Sequence, residues 1–496
     1  MIIGRNKEID TLNSICDKPK SSFVSIYGRR RIGKTYLVDQ FFKNHRKEAI
    51  FFDYTGAYQL SSDSQIKNFL NQINLWFKKE PLKEITSWGD AFNFLTNILE
   101  EESKTLQPNQ KIVVFIDEIQ WIDPSGKNEF LGSLGYFWNS YCEKKNNVIL
   151  IICGSNASWI NNKIFQDSQG PFNRRTTKTI AMFPFNLQET KEYLQKEKHF
   201  IVDDKTVMDT YMVFGGVAKY LSYLDNKKTI AQNIDELFFD INGELYGEYD
   251  IVFRSLFRER FKMHKSIMDL LISKRSGFNT SEIVVQTDFQ MGSKLKNILV
   301  ELEQCGFIKS IAKFNDERET RYIVSDPFCI FYHKWIEPYS KNKIAKFSKG
   351  HWSETQKTSS YISWAGFSFE TICLINIDLY LKARSTNGVY KNHYYWQYIP
   401  KTSEETGAQI DFVVEYGQGL YDIVECKYYN KEYSLTGADV ANIENKLEKF
   451  IEYGIKRNSK FELKLVYITS YGLKMNQFYN KLNISSTIQL TDLLKI

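Results

Sequence analysis

The sequence predicts an α/β protein of several domains, the first of which is built on a parallel sheet. Near-continuous apolar runs alternate with helical patterns in the N-terminal third of the chain. A glycine-rich turn joins the first of these runs to a helix, and two apolar runs near the C-terminus flank another glycine turn. With 496 residues the chain is too long to form a single domain, because domains usually contain about 100–200 residues.

The first predicted domain spans residues 1–182. Its four apolar runs are SFVSIYG (22–28), AIFFDYT (49–55), KIVVFIDE (111–118) and NVILIICGS (147–155). Runs of this kind are typical of strands that are covered on both faces. The helical stretches between them fit right-handed β-α-β crossovers, which predicts a mainly parallel sheet.

The rest of the chain divides into four predicted regions: a helical lid (183–248), a winged-helix domain (249–338), a linker (339–358) and a last α/β domain (359–496). Gly215-Gly216 is expected to end a helix of the lid. The winged helix is indicated by three helical patterns followed by the β-like runs GFIKSIAKF and TRYIVSD. The linker is lysine-rich and polar. The last domain is expected to contain strands near 394–399, 409–416, 420–429 and 462–469.

A complete G-x-x-x-x-G-K-[ST] motif follows the first predicted strand and opens a helix. It consists of Gly28, Arg29, Arg30, Arg31, Ile32, Gly33, Lys34 and Thr35. Glycines let the backbone amides turn toward phosphate oxygens, and a helix N-terminus adds partial positive charge. The motif therefore predicts that residues 1–182 form a P-loop ATPase core that binds ATP, with Lys34 at the β- and γ-phosphates and Thr35 on Mg²⁺. We expect the three arginines to be solvated rather than to add potential at the phosphates.

Acidic and polar residues end two further predicted strands. Asp117 and Glu118 close the run IVVFIDE, at the sheet edge where ligands of α/β proteins bind. Asp117 is the predicted magnesium carboxylate, and Glu118 the residue that activates the attacking water. Ser155 and Asn156 follow the next strand, where they fit either a contact to the γ-phosphate or a simple turn.

A basic pair, Arg174-Arg175, follows a short loop that contains glycine and proline. Arg174 is a candidate arginine finger that would act toward a neighbouring subunit. The alternative is an ordinary pair of surface cations, and the sequence leaves both interpretations open.

The segment AQIDFVVEYGQGLYDIVECKYY predicts a hairpin centred on Gln418. In a symmetric hairpin Asp411 and Glu425 face each other, and Lys427 projects from the same face as Glu425. Two opposed carboxylates favour a divalent cation, and a lysine beside them can stabilise charge that develops during phosphodiester cleavage. The alternative is a solvated hairpin with alternating polar residues.

The pattern D-x₁₃-E-x-K resembles the core of PD-(D/E)XK nucleases. That family often carries a further glutamate on the preceding helix, and GFSFETIC places Glu370 on such a helix. The resemblance implies a nuclease-like domain over residues 359–496, with Mg²⁺ at Asp411, Glu425 and Glu370 and with Lys427 as the catalytic lysine.

The segments GRNKEI, YGRRRIGKT, FIDEIQW and GSN together resemble AAA+-type ATPases of the archaeal and bacterial group allied to STAND proteins. Members of that group often carry a C-terminal restriction-endonuclease-like domain. The resemblance implies nucleotide contacts near Gly4, Arg5 and Glu8, and a sensor role for Ser155 or Asn156. The sequence departs from the group at Ala218, where the lid motif usually has proline, and at Asn173, where glycine usually precedes the arginine pair.

Composition sets broader bounds. The N-terminus lacks the pattern of a signal peptide, and no uncharged apolar run reaches the 18 residues of a membrane span. Seven scattered cysteines without a C-x-x-C pair fit buried thiols. We therefore expect a cytoplasmic protein without a membrane partner.

Three functions stay open at this point. A net charge of +6 permits a DNA partner without requiring one, and a homo-oligomer is also compatible with the motifs. The first function is an ATPase that acts on DNA with a magnesium-dependent nuclease domain. The second is a signalling or scaffold ATPase that cuts nothing, and the third is an ATP-gated DNA-binding regulator.

Overall fold

The computed structural model describes residues 2–45, 50–107, 110–126, 128–165, 170–172, 175–342, 350–455 and 460–495. The chain forms two compact units, Met1–Pro184 and Phe185–Ile496. Within the described ranges no helix combines the length and the apolar character needed to span a bilayer. All seven cysteines are free, and six of them are buried.

The first unit is built on a five-stranded parallel sheet in the order β2-β3-β4-β1-β5. Its strands are β1 (Ser22–Tyr27), β2 (Ile50–Thr55), β3 (Ile112–Asp117), β4 (Val148–Gly154) and β5 (Lys178–Ala181). Its helices are α1 (Asn6–Cys16), α2 (Lys34–Asp39), α3 (Ser62–Phe77), α4 (Trp88–Ser103), α5 (Ile119–Ile122), α6 (Phe130–Ser140) and α7 (Ala157–Ile160). α2 continues as a π-helical segment, Gln40–His45.

Alternate residues of the central strands serve two different cores. Val114 and Ile116 pack in one apolar cluster, whereas Val113 and Phe115 pack in the other. Successive side chains of a strand point to opposite faces, so both faces of the sheet are covered. This explains why the strands of the first unit appear in the sequence as continuous apolar runs.

The second unit contains a seven-stranded mixed sheet in the order β12-β11-β10-β9-β8-β6-β7. Its strands are β6 (Ile308–Lys313), β7 (Asp316–Val324), β8 (Tyr390–Tyr398), β9 (Ala408–Tyr416), β10 (Leu420–Lys427), β11 (Glu462–Thr469) and β12 (Ser486–Gln489). β10 and β11 are parallel, and the pairs β8/β9, β9/β10 and β6/β7 are antiparallel.

Helices of the second unit fall into three groups along the chain. The first group is α8 (Leu187–Glu192), α9 (Asp204–Phe214), α10 (Ala218–Ser222), α11 (Ile230–Ile234) and α12 (Glu248–Phe257). The second is α13 (Phe261–Ser273), α14 (Thr280–Gln286), α15 (Ser293–Gln304), α16 (Pro327–Trp335), α17 (Glu337–Asn342) and α18 (His351–Thr355). The third is α19 (Ser359–Ile375), α20 (Ile377–Arg384), α21 (Gly437–Lys449), α22 (Gln477–Lys481) and α23 (Leu490–Leu493).

Three helices, α13–α15, precede the antiparallel pair β6–β7, and we refer to residues 261–324 as the helix–hairpin module. Its hairpin joins the C-terminal sheet through a parallel bridge between Lys313 and Tyr395. The module therefore shares one sheet with the predicted nuclease-like domain.

The described end of the predicted linker is packed rather than extended. α18 lies within it, and its Trp352 is fully buried in the main apolar cluster of the second unit. Gly215 ends α9 in the left-handed conformation, as predicted for the Gly215-Gly216 pair.

Candidate functional site

The predicted phosphate loop lies between β1 and α2 and has the backbone that its glycines permit. Gly33 precedes α2 with φ 90°, a conformation that favours glycine. At Gly28, which has φ 153°, a Cβ atom would lie 2.2 Å from the carbonyl oxygen of Met182, just after β5. Close contact with the neighbouring backbone therefore also requires glycine at this position.

Lys34 is buried and turned into its own loop. Its Nζ donates to the carbonyl oxygens of Gly28, at 2.7 Å, and Arg29, at 2.9 Å. Arg5 supports the same loop, because its guanidinium donates to the carbonyl oxygen of Ile32 at 2.9 Å and to that of Phe183 at 2.7 Å. The lysine ammonium is thus held at the centre of the loop.

The arginines of the loop differ from one another. Arg29 is buried, 3% exposed, so the expectation that all three are solvated is wrong for this residue. Its carbonyl oxygen accepts a hydrogen bond from the buried Lys34 ammonium, so the residue belongs to the enclosed part of the loop. Arg30 lies over the Trp121 ring, 5.2 Å from its centroid, and Arg31 is half-buried with φ 71°.

Thr35 and Asp117 meet across the edge of the sheet. The Thr35 hydroxyl donates to Asp117 Oδ2 at 2.5 Å, and the Glu118 amide donates to Asp117 Oδ1 at 2.8 Å. Burial raises the pKa of the Asp117 carboxyl, and the hydrogen bond from Thr35 opposes that rise. A hydroxyl and a carboxylate at this separation provide the hard oxygen ligands that Mg²⁺ prefers.

Glu118 is held by two polar side chains. Its Oε2 accepts a hydrogen bond from the Ser155 hydroxyl at 3.0 Å and another from the Gln120 amide. The Gln120 amide also donates to Ser155 Oγ at 3.1 Å. β4 lies between β1 and β3, so Ser155 at its end is placed between the phosphate loop and Glu118.

A second constellation lies on β9 and β10, as the hairpin pattern predicts. Phe412 pairs with Val424, and the same register places Asp411 opposite Glu425. Asp411 Oδ2 accepts a hydrogen bond from the Cys426 amide at 2.8 Å.

The carboxylates share one depression, which we call the C-terminal cavity. It is lined by Arg275, Glu370, Gly407, Ala408, Gln409, Asp411, Glu425, Lys427, Asn442 and Lys446. Burial and the neighbouring Asp411 raise the pKa of Glu425 to about 7, although Lys446 Nζ lies 2.6 Å from its Oε1. Desolvation of the carboxylate thus outweighs this ion pair.

Comparisons with known proteins bear on the first unit. Residues 2–224 match a family described as an ATPase domain predominantly from Archaea. Residues 2–224 are an ATPase domain of this family. The chain is therefore an ATPase, and its phosphate loop and Asp117–Glu118 pair lie within the matched residues.

Relatives of the ATPase occur in Methanocaldococcus jannaschii. The uncharacterized protein MJECL04 is 24% identical over 386 residues, which covers 75% of this chain and 76% of MJECL04. The uncharacterized ATP-binding protein MJ0423 is 36% identical over 53 residues, which covers 10% of this chain and 90% of MJ0423.

Two solved structures are also similar to the ATPase. The Walker-type ATPase PABY2304 of Pyrococcus abyssi is 17% identical and has a TM-score of 0.48, with 67% of this chain and 96% of that chain covered. The ORC2 protein of Aeropyrum pernix, in ADPNP–ADP complexes, is 14% identical with a TM-score of 0.42, covering 68% and 95%.

The remaining predicted site residues of the ATPase have different outcomes in the structure. Asn156 caps α7, its Oδ1 accepting from the Trp159 amide at 2.9 Å. Asn156 therefore has the structural role at a turn that was one of its two predicted roles. Ser155, in contrast, contacts Glu118. Arg174, the candidate arginine finger, lies outside the described residues, and Arg175 is exposed.

Three residues at these sites were missed by reasoning from sequence. Gln120 carries a detectable signal, because an amide in the apolar segment IQW is costly to bury without a partner. Arg275 and Lys446 carry none, since they are far from the carboxylates in sequence and reach them only through tertiary packing.

Proposed function

We propose that this ATPase acts on DNA and that its C-terminal cavity hydrolyses phosphodiester bonds with a divalent cation. The observation that carries the proposal is the opposition of Asp411 and Glu425 on β9 and β10, with Lys427 and Glu370 lining the same cavity. A fold alone does not define an activity, so the proposal is based on this arrangement of residues.

In the ATP site, the residues divide the work of phosphoryl transfer to water. Loop amides and Lys34 bind the phosphates of ATP, once the lysine exchanges its contacts with loop carbonyl oxygens for contacts with phosphate oxygens. Thr35 and Asp117 would hold Mg²⁺, which when bound neutralises phosphate charge. Glu118 orients the attacking water and accepts its proton, while Ser155 and Gln120 hold the Glu118 carboxylate.

In the C-terminal cavity, the buried carboxylates suit a divalent cation. Two acidic groups in a desolvated site repel each other, as the raised pKa of Glu425 reflects, and a bound cation relieves that repulsion. Asp411, Glu425 and Glu370 would hold Mg²⁺, which supplies an activated water when bound. Lys427 would stabilise the negative charge that develops on the phosphate oxygens.

The helix–hairpin module also supports DNA as the proposed substrate. Three helices followed by an antiparallel pair is the element order of a winged helix. Lys294 and Lys296 on α15 are exposed, and we propose that they contact phosphates.

The test uses the full chain, supercoiled plasmid and Mg²⁺ or Mn²⁺. We expect the wild type to nick the plasmid and Lys427→Ala to lose this activity. Lys431→Ala is the matched control, because it removes the same charge from an exposed position just beyond β10. A wild type that leaves the plasmid intact with both metals would refute the cleavage proposal.

One observation favours a DNA-binding regulator as the second candidate. Arg275 and Lys446 already pair with the acidic groups of the cavity, an arrangement that neutralises the carboxylates without a metal. DNA binding that weakens steeply with salt, in a protein that cuts no DNA, would support this function.

A further inference from the structure

Arg275 belongs to the helix–hairpin module but lines the C-terminal cavity. It follows α13, and its guanidinium lies over the Phe367 ring of α19 at 4.3 Å from the centroid. Its Nη2 forms an ion pair with Glu370 and lies 3.7 Å from Asp411 Oδ1. A residue of one module thus contacts two acidic groups of the neighbouring α/β domain.

Two of the three cations that line the cavity pair with carboxylate oxygen atoms that a metal would use. Arg275 faces Glu370 and Asp411, and Lys446 of α21 pairs with Glu425 at 2.6 Å. A guanidinium and a divalent cation both bind to the lone pairs of carboxylate oxygens. A guanidinium and a divalent cation held by the same carboxylate would repel each other strongly in a partly desolvated site. Binding of one therefore excludes the other.

The side chain of Arg275 is partly accessible to solvent. About a third of it is exposed, at 35%, whereas the side chain of Asp411 is 9% exposed. The planar fork of a guanidinium matches phosphate as well as carboxylate, so an incoming anion can take the place of the carboxylates as its partner. The side chain of Lys446 is more enclosed than that of Arg275, at 13% exposed.

We propose that Arg275 is a removable counter-ion that competes with a divalent cation for Asp411 and Glu370. The helix–hairpin module therefore regulates metal loading of the C-terminal cavity. This inference rests on the proposed metal site at Asp411 and Glu425.

The experiment titrates the full chain with Mn²⁺ in the absence of nucleotide and follows free Mn²⁺ by electron paramagnetic resonance. Binding that Asp411→Asn removes is assigned to the C-terminal cavity. We expect Arg275→Gln to lower the dissociation constant of that site about tenfold, because it removes a positive charge beside the ligands. Arg318→Gln is the matched control: it removes the same charge from β7 of the same module, at a side chain 97% exposed, and its dissociation constant should stay within about twofold.

The possible results separate the inference from the proposed function. Unchanged or weaker Mn²⁺ binding in Arg275→Gln would overturn the inference while leaving the metal site in place, as would equal tightening in Arg318→Gln. Absence of Asp411-dependent Mn²⁺ binding in both wild type and Arg275→Gln would overturn the metal site and the inference together. If Arg275→Gln fails to fold, Arg275→Met removes the charge and keeps an apolar stem on Phe367, with the same tenfold expectation.

Discussion

Glu118 is the residue whose chemistry depends most on its immediate neighbours. Its backbone has φ 47°, a region that residues other than glycine seldom occupy, and its carboxylate is hydrogen-bonded by Ser155 and Gln120. Strain of this kind persists only where surrounding contacts impose it. The position of the Glu118 carboxylate therefore depends on side chains from α5 and the end of β4.

Gln120 should position Glu118 rather than bind ATP. We expect Gln120→Leu, which removes the amide at similar volume, to lower kcat about tenfold and to change KM less than about twofold. Glu118→Gln should bind ATP and lower kcat by at least about a hundredfold. Steady-state ATP hydrolysis measures both.

The double variant is the control for this assignment. If Gln120 acts through Glu118, the combination should be no slower than Glu118→Gln alone, because effects within one unit do not add. Fully additive losses in kcat would show that the two side chains act separately.

Glu425 should make stability depend on pH. Its carboxyl has a pKa of about 7 in the folded chain against 4.5 for the free group, and it faces Asp411, Lys427 and Lys446. The folded state therefore binds this proton more tightly than the unfolded state. The contribution of Glu425 to stability is therefore fully present below pH 4.5, falls as pH rises from 4.5 to 7, and is lower by up to ~3 kcal/mol above that range.

Calorimetric melting of wild type and Glu425→Gln between pH 5 and 8 tests this dependence. The variant does not ionise, so its melting temperature relative to wild type should increase with pH. Glu432→Gln, at an exposed position, should show no such trend. A constant difference between wild type and Glu425→Gln across the range would contradict the assignment.

At the scale of elements, β5 limits what the phosphate loop can contain. Met182 follows β5, and its amide donates to the carbonyl oxygen of Tyr27 at 2.7 Å, while its carbonyl oxygen lies where a Cβ of residue 28 would project. β5 itself is short, and only Ile180 of its four residues is buried. It therefore leaves no apolar run in the sequence, which explains why four of the five strands of this sheet were predicted and this one was missed.

Gly28→Ala should disturb both the fold and the site. We expect a loss of about 1–3 kcal/mol in the free energy of unfolding and weaker ATP binding, because the added methyl meets backbone that is fixed by β5. Denaturant unfolding and calorimetric titration with ATP and magnesium measure the two effects.

Gly132→Ala is the matched substitution, since Gly132 lies in α6 and a Cβ there meets no atom within 4 Å. It should stabilise the chain by about 0.5–1 kcal/mol. Equal behaviour of the two variants would indicate that the contact with Met182 adapts without cost.

The hairpin β9–β10 shows which parts of the C-terminal cavity can be predicted from the local sequence pattern. A symmetric turn centred on Gln418 predicts that Asp411 lies opposite Glu425. The strand register, in which Phe412 pairs with Val424, agrees with this prediction. Alternation then gives Lys427 the same face as Glu425. The counter-ions of these carboxylates follow no local rule, because α21 and the helix–hairpin module supply them through tertiary packing.

At the scale of the whole molecule, the predicted lid packs with the C-terminal residues. The second unit starts at Phe185, and its main apolar cluster extends from Phe185 to Leu494. Tyr428 after β10 donates to Asp209 of α9 at 2.8 Å. Sequence periodicity indicates that α9 has an apolar face, but it does not identify the distant residues that cover this face.

Because the two sites lie in separate compact units, their chemistries should be separable by single substitutions. Lys34→Ala should abolish ATP turnover and leave Asp411-dependent Mn²⁺ binding within about twofold of wild type, since no ligand of the cavity is altered. Lys427→Ala should abolish plasmid nicking and leave kcat for ATP within about twofold.

Measuring ATP turnover, Mn²⁺ binding and plasmid nicking on the same protein preparations makes the comparison decisive. A fall of more than about tenfold in ATP turnover on Lys427→Ala would reveal energetic coupling between the sites. Binding linkage is reciprocal: if ATP changes the affinity of the cavity for Mn²⁺, then Mn²⁺ in the cavity changes the affinity for ATP by the same factor. Titrating Mn²⁺ into Glu118→Gln with and without ATP, and counting only the binding that Asp411→Asn removes, tests for such linkage, because this variant should retain its nucleotide throughout the measurement.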